Sequence, residues 1–153
     1  MDATRTLQKL IESDYRIAAL DTPETDRVLG VFKRLTLTTG RAVYDWTPNS
    51  GLYRLGIEHI FIPRTRAPAD VIAYVASSRH YGIYLLREFH EPLARSSVQK
   101  SLLQVADNED GVRRLVILVG QHLTIPEVLS GRVAVLRHNV RSQQQEGRRA
   151  AAS

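Results

Sequence analysis

No cysteine occurs among the 153 residues. That excludes a disulfide framework, a thiolate nucleophile and any zinc site built on cysteine. No apolar run approaches the ~18 residues that a membrane-spanning helix needs. The opening stretch MDATRTLQKLIESDYR mixes both charges and lacks the apolar core of a signal peptide. The expected location is cytoplasmic, with no membrane partner. Lysine is scarce: Lys9, Lys33 and Lys100 are the only lysines among 21 basic residues, against 16 Asp plus Glu. The five histidines, His59, His80, His90, His122 and His138, show no HExxH or similar ligand spacing, so no metal centre is expected. Ser96-Ser97 stands outside any G-x-S-x-G setting, which leaves no serine nucleophile in a recognisable context.

What is present is a chain that is 43% hydrophobic and long enough for one domain with a real core. Thr6 to Ser13 places Leu7, Leu10 and Ile11 on one helical face. Tyr15 to Leu20 reads as a short buried strand. Thr22 is positioned to cap a helix from about Pro23 to Thr38, with Val28, Val31, Phe32 and Leu35 as its apolar stripe and Gly40 as a left-handed stop. Arg41 to Thr47 alternates as a strand, with Ala42, Tyr44 and Trp46 on one side, and Trp46 is expected in the core. Leu52 to Pro63 reads as a small hairpin or an extended excursion. Ala67 to Ser78 is helical, Gly82 to Leu86 a central strand, and Pro92 to Asp107 one helix. Leu115 to Val119 is another buried strand. Thr124 to Leu129 is one short helical turn, and Val133 to Leu136 is the last strand. Short apolar strands alternating with helices predict βαβ units, a parallel sheet and helices on both of its faces.

The expected architecture is therefore a three-layer α-β-α domain of the α/β class with a central, mainly parallel sheet of five strands. It spans residues 1–140, followed by a loose, arginine-containing tail over 141–153. The tail has no apolar side chain larger than alanine to offset the entropy of ordering it.

In a nucleotide-binding α/β domain, phosphates sit at the loop between the first strand and its helix. Here that loop is Asp21-Thr22-Pro23-Glu24-Thr25-Asp26. It offers no glycine and no lysine, Pro23 removes a donor, and three carboxylates oppose a polyphosphate. The strand–helix alternation is similar to that of P-loop NTPases, but this loop is no P-loop. No catalytic residue, cofactor or metal ligand is assigned, and the chain is not expected to be an enzyme. Arg87, Glu88 and His90, at the end of a central strand, form a candidate polar site. Glu88 and His90 stand there as an acid–base pair, against the blander reading that Glu88 pairs with an arginine or accepts backbone N–H groups. Tyr53, Leu55, Ile57 and Phe61 form the candidate interaction surface. A protein partner or a homo-oligomer is expected. A nucleic-acid-binding accessory role through surface arginines is the alternative, although the tail lacks interleaved aromatics for base stacking.

Several segments in order carry a family resemblance. They are LIESDYRIAALDTPETDRVLGVFKRL, then Gly40 with RAVYDWTPNSGLYRL, then YGIYLLREFHEPL, and LVILVGQHLTIPEVL followed by VAVLRHNV. Together they span about Leu10 to Val140. The chain resembles the N-terminal, degenerate ATPase-like region of the Ycf46 family of AAA-type ATPases. Arg87-Glu88-Phe89-His90 is similar to that family's basic–Asp–Phe–His run after an apolar strand, with Glu in place of Asp. Ile125-Pro126-Glu127 also matches. The resemblance implies an AAA-like core with sheet order 5-1-4-3-2 and a noncatalytic role in assembly or partner recognition. It also implies that a complete AAA module follows this region in family members.

Overall fold

The computed structural model describes residues 3–58 and 60–137. The expected tail, His59 and His138 lie outside them. Helix α1 (Ala3–Glu12) leads into β1 (Ile17–Asp21), α2 (Thr25–Thr39) and β2 (Val43–Thr47). A hairpin of β3 (Gly51–Arg54) and β4 (Phe61–Ile62) follows, then α3 (Pro68–Ser77) and β5 (Gly82–Arg87). The chain continues through α4 (His90–Leu93), α5 (Ser96–Asp107), β6 (Arg114–Gly120), a 3-10 turn (Glu127–Leu129) and β7 (Val133–Arg137).

The sheet has seven strands in the order β4-β3-β2-β5-β6-β1-β7. The five-strand expectation holds for the parallel part alone: β2, β5, β6, β1 and β7 pair in parallel. Numbered among themselves in chain order, these strands run 2-3-4-1-5, the expected AAA-like order seen from its other end. The two additional strands are the hairpin, which pairs antiparallel onto the free side of β2. It was not countable from the sequence because β4 is only two residues long, below the length at which alternation becomes a signal.

Why the strands read as unbroken apolar runs is plain from their surroundings. Every residue of β6 is buried, because successive side chains enter two different cores. Ile117 and Val119 face one way with Ala18, Leu20, Ile83 and Leu85, beneath Leu7, Leu10 and Ile11 of α1 and Val28 and Phe32 of α2. Val116 and Leu118 face the other way with Ile17, Ala19, Tyr84 and Leu86, beneath α3 and α5. Burying each such aliphatic side chain is worth about 1.5–3 kcal/mol. The period of two then locks the register, since a one-residue slip would exchange the two cores.

Two local expectations give way. Thr22 does not cap α2: its Oγ1 accepts the N–H of Glu24, and Glu24 is the N-cap with no side-chain hydrogen bond. Thr22 is fully buried, so its short side chain closes the turn rather than the helix. The helix expected over Pro92–Asp107 is also divided, because Arg95 takes an extended conformation between α4 and α5. Gln99 compensates by donating its Nε2 to the carbonyl of Leu93. Gly40 does end α2 in the left-handed region, at φ 73°, with its N–H on the carbonyl of Thr36.

Candidate functional site

Connections decide where a ligand could enter an open α/β sheet. The link after β1 crosses the face covered by α1 and α2, whereas the links after β5 and β6 cross the other face. The switch point therefore lies between the C-terminal ends of β1 and β6, the usual ligand crevice of such folds.

That crevice is closed by the chain's own groups. The N–H of Thr22 donates to the carbonyl of Gly120 at 2.9 Å. The N–H of His122 donates to Oδ1 of Asp21, also at 2.9 Å. Beside them, the N–H of Glu88 donates to the carbonyl of Val119, and Nε2 of His90 meets the carbonyl of Gln121 at 2.6 Å. Gly120 makes room for that imidazole: a Cβ there would stand 2.7 Å from Cε1 of His90. In the loop after β1, the donors of Thr22 and Glu24 are thus occupied, and Pro23 has none. The Glu24 carboxylate pairs with Arg27.

Two residues at these strand ends, Glu88 and His122, have positive φ of 55° and 59°. Neither is glycine, and each left-handed residue of this kind costs about 1–2 kcal/mol. Strain of this sort persists only where surrounding contacts over-determine it, and the hydrogen bonds of the Glu88 and His122 amides do so here.

The candidate polar site is only partly assembled. Arg87 turns away from Glu88 and grips Asp45 on the neighbouring strand, Nε on Oδ1 at 2.9 Å and Nη2 on Oδ2 at 2.8 Å. Burial raises the Asp45 carboxyl above its ordinary value, and the Arg87 charge and hydrogen bond only partly oppose it. Glu88 and His90 are both exposed, and His90 is engaged with Gln121 rather than aimed at Glu88. Asp45 is the participant the sequence reading missed. Its signal was its parallel register with Leu85, which places its side chain beside a residue two short of Arg87. Among the described residues no three His, Asp or Glu side chains gather in a way that could hold a metal ion.

The hairpin offers a different kind of surface. Of the seven exposed large apolar side chains among the described residues, four gather there and at the end of α2: Leu37 at 65% exposure, Phe61 at 54%, Ile57 at 45% and Ile60 at 41%. Leu37 lies against Gly56, where a Cβ would come within 3.6 Å of its Cδ2. Tyr53 is half-buried and its ring lies 4.8 Å from that of Phe61. A hollow of about 490 Å3 opens between Asp45, Ser50, Tyr53, Glu58 and Phe61. Leu55 leaves the expected surface. Its N–H pairs with the carbonyl of Val43, and its side chain is buried in the core under α2. Gly56, at φ 82°, then turns the chain so that Ile57 emerges. Leu37 and Ile60 join the patch unannounced by any motif, although an exposed leucine on the otherwise polar face of α2 was a readable anomaly.

Trp46 ties the two regions together. It is buried, meets Phe89 edge-on at 5.3 Å and donates Nε1–H to the carbonyl of Thr65, where the chain leaves the hairpin. Thr65 in turn accepts the N–H of Leu52.

Among the described residues no helix is long and apolar enough to cross a membrane. Many of the described arginines are already engaged within the domain. Arg27, Arg87, Arg95, Arg114 and Arg132 have carboxylate partners, while Arg41 and Arg54 lie over the rings of Tyr81 and Tyr44.

Comparison with known proteins gives two findings. Residues 3–138 match a family model described as the SpoVK-like AAA ATPase, N-terminal domain. The chain is also similar to an uncharacterized AAA domain-containing protein, ycf46, of Trieres chinensis, with 24% identity over 132 residues. The match covers 86% of this chain and 27% of that protein, so the chain spans about a quarter of the length of the curated relative.

Proposed function

This chain belongs to the family of SpoVK-like AAA ATPase N-terminal domains, and from that premise we propose that it is a noncatalytic domain that binds a protein partner instead of a nucleotide. The observation that carries the reading is the closed switch point. Where a nucleotide-binding relative of the fold would present glycine amides to phosphate, Thr22 and Glu24 spend theirs on Gly120 and on the Thr22 hydroxyl. Asp21 holds the amide of His122, which brings a carboxylate to the place a phosphate would need.

The contacting surface in this reading is the hairpin patch of Leu37, Tyr53, Ile57, Ile60 and Phe61. Tyr53 and Phe61 stand on the strand pair, Ile57 and Ile60 in the turn that joins it and Leu37 at the end of α2. Clustered exposed apolar side chains are the usual anchors of a protein interface, and the Tyr53–Phe61 ring pair provides an aromatic centre. The arginines do not favour nucleic acid over protein, because so many are already paired within the domain.

Calorimetric titration of the chain with magnesium-ATP, together with a hydrolysis assay, tests the first half. No binding heat and no phosphate release are expected. Micromolar binding that is lost on changing Thr22–Thr25 would reject the reading. For the second half, Ile57→Asp with Phe61→Asp should abolish association with whatever partner the wild-type chain retains, while leaving the unfolding transition in place.

A further inference from the structure

Among the described residues, nothing covers the edge of the sheet opposite the hairpin. Among the described residues β7 pairs with β1 alone, so its outer side presents alternate N–H and C=O groups along five residues. An open edge of that length is a template for another strand. The hairpin edge, by contrast, ends on the two residues of β4. Nor is the corner above β7 well covered. The link from β6 to β7 carries only a 3-10 turn of three residues, and Val135, at the middle of the strand, remains 48% exposed.

The two ends of β7 differ in charge. At its start, a hollow of about 500 Å3 is lined by Asp14, Asp107 and Glu109, with Tyr15, Arg16 and Arg132. Arg132 is committed to Asp107, and Nη1 of Arg16 reaches the carbonyl of Ala106. The hollow also receives the C-terminal end of α5, the negative end of a helix dipole. With three carboxylates against two arginines, the hollow is net negative. At the other end of β7 stands Arg137, exposed.

We propose that a second copy of this chain pairs with β7 through its own β7, antiparallel and centred on Val135. In that register Val135 faces Val135 of the second copy, Ala134 faces Leu136, and Val133 faces Arg137. Arg137 of the second copy then stands opposite Val133, one residue from Arg132, whose guanidinium is held by Asp107. Its long side chain extends toward the mouth of the hollow with Asp14 and Glu109, and the two-fold axis repeats the contact. Charge favours this direction: a parallel in-register pairing would set Arg137 against Arg137 and hollow against hollow, whereas in the antiparallel one Arg137 approaches Asp14 and Glu109 past an Arg132 already neutralised by Asp107. The surface lies at the opposite edge from the hairpin patch, so its failure and the failure of the partner-binding reading are separable.

The test uses the full chain. Sedimentation equilibrium should show a dimer of the 17.2 kDa chain that weakens as salt is raised. Arg137→Glu should raise the dissociation constant by about tenfold or more, and adding Glu109→Arg to that variant should restore it. Because the chain has no cysteine of its own, Val135→Cys should give a disulfide-linked dimer on mild oxidation. Val128→Cys, equally exposed but outside β7, should not. A monomer at every attainable concentration overturns the proposal. So do equal cross-linking of the two cysteine variants and a dimer indifferent to Arg137→Glu.

Discussion

The crevice past the C-terminal ends of the parallel strands and the hairpin patch beside the N-terminal end of β2 are built on opposite terms. In the crevice the residues are polar, strained and spent: Asp21, Thr22, Glu88, His90 and His122 all hold backbone atoms of this same chain or have their own held. In the patch the residues are apolar and turned outward, and Gly56 absorbs the positive φ that the turn requires. The difference teaches where binding free energy remains available. A ligand entering the crevice would first have to break hydrogen bonds worth about 0.5–1.5 kcal/mol each, whereas a partner covering Ile57 and Phe61 gains from removing apolar surface from water at about 25 cal/mol per Å2.

The contrast can be broken most severely at the residue that joins the two regions. Trp46→Ala should cost about 3–5 kcal/mol of stability in urea unfolding, because it removes the edge contact with Phe89 and leaves the Thr65 carbonyl without its indole donor. Next comes the pair that separates core from surface within the hairpin. Leu55→Ala should lose about 2–5 kcal/mol, while Phe61→Ala should stay within about 0.5 kcal/mol of wild type; equal losses would show that the patch is structural. Third, Glu88→Gly should raise stability by about 1 kcal/mol by relieving the left-handed backbone at φ 55°. A loss there would mean that the glutamate side chain makes a contact outweighing its strain.

The smallest effect concerns pH and two aspartate–arginine pairs. Asp110 is held down to about 2 by its hydrogen bonds with Arg114 and the amide of Val112. A depressed carboxylate favours the folded state above its unfolded value near 3.8 and loses that contribution as pH falls through about 2. Asp45 is raised by burial, so its term is present below 3.8 and is lost as pH rises through its folded value. Asp110→Asn should therefore flatten the acid limb of a stability–pH profile, and Asp45→Asn should steepen the net acid loss. The same slope in both variants would contradict the different burial of the two pairs.

Much of this architecture was legible along the chain. The runs GIYLL and LVILV could only be strands covered on both faces, and Gly40 stopped α2 where its periodicity ended. The order of the parallel strands came from the family resemblance, because composition does not encode which strand lies beside which. What escaped the sequence was chiefly long-range. The Asp45–Arg87 pair and the Asp21–His122 bond join residues 42 and 101 positions apart, and no local period reports on such meetings. The break at Arg95 was hidden because no Gly or Pro stands at it, although the five-residue step from Leu93 to Val98 interrupts the helical spacing of the apolar residues. Leu55 was misplaced because Tyr53, Leu55 and Ile57 alternate perfectly, and only the positive φ of Gly56 shows that the alternation ends between the last two. Of the candidate polar site, the position at the end of β5 was correct. The direction in which Arg87 points was not readable before the register of β2 on β5 was known.

Amide hydrogen exchange at Thr22, Glu24 and His122, followed with and without magnesium-ATP, examines the closed crevice most directly. Thr22 and His122 should be protected in the free protein, and saturating nucleotide should leave all three rates unchanged. Rapid exchange of Thr22 and His122 in the free chain, or a rise in protection at Thr22 and Glu24 on adding nucleotide, would show that the loop opens to receive phosphate and would contradict the account.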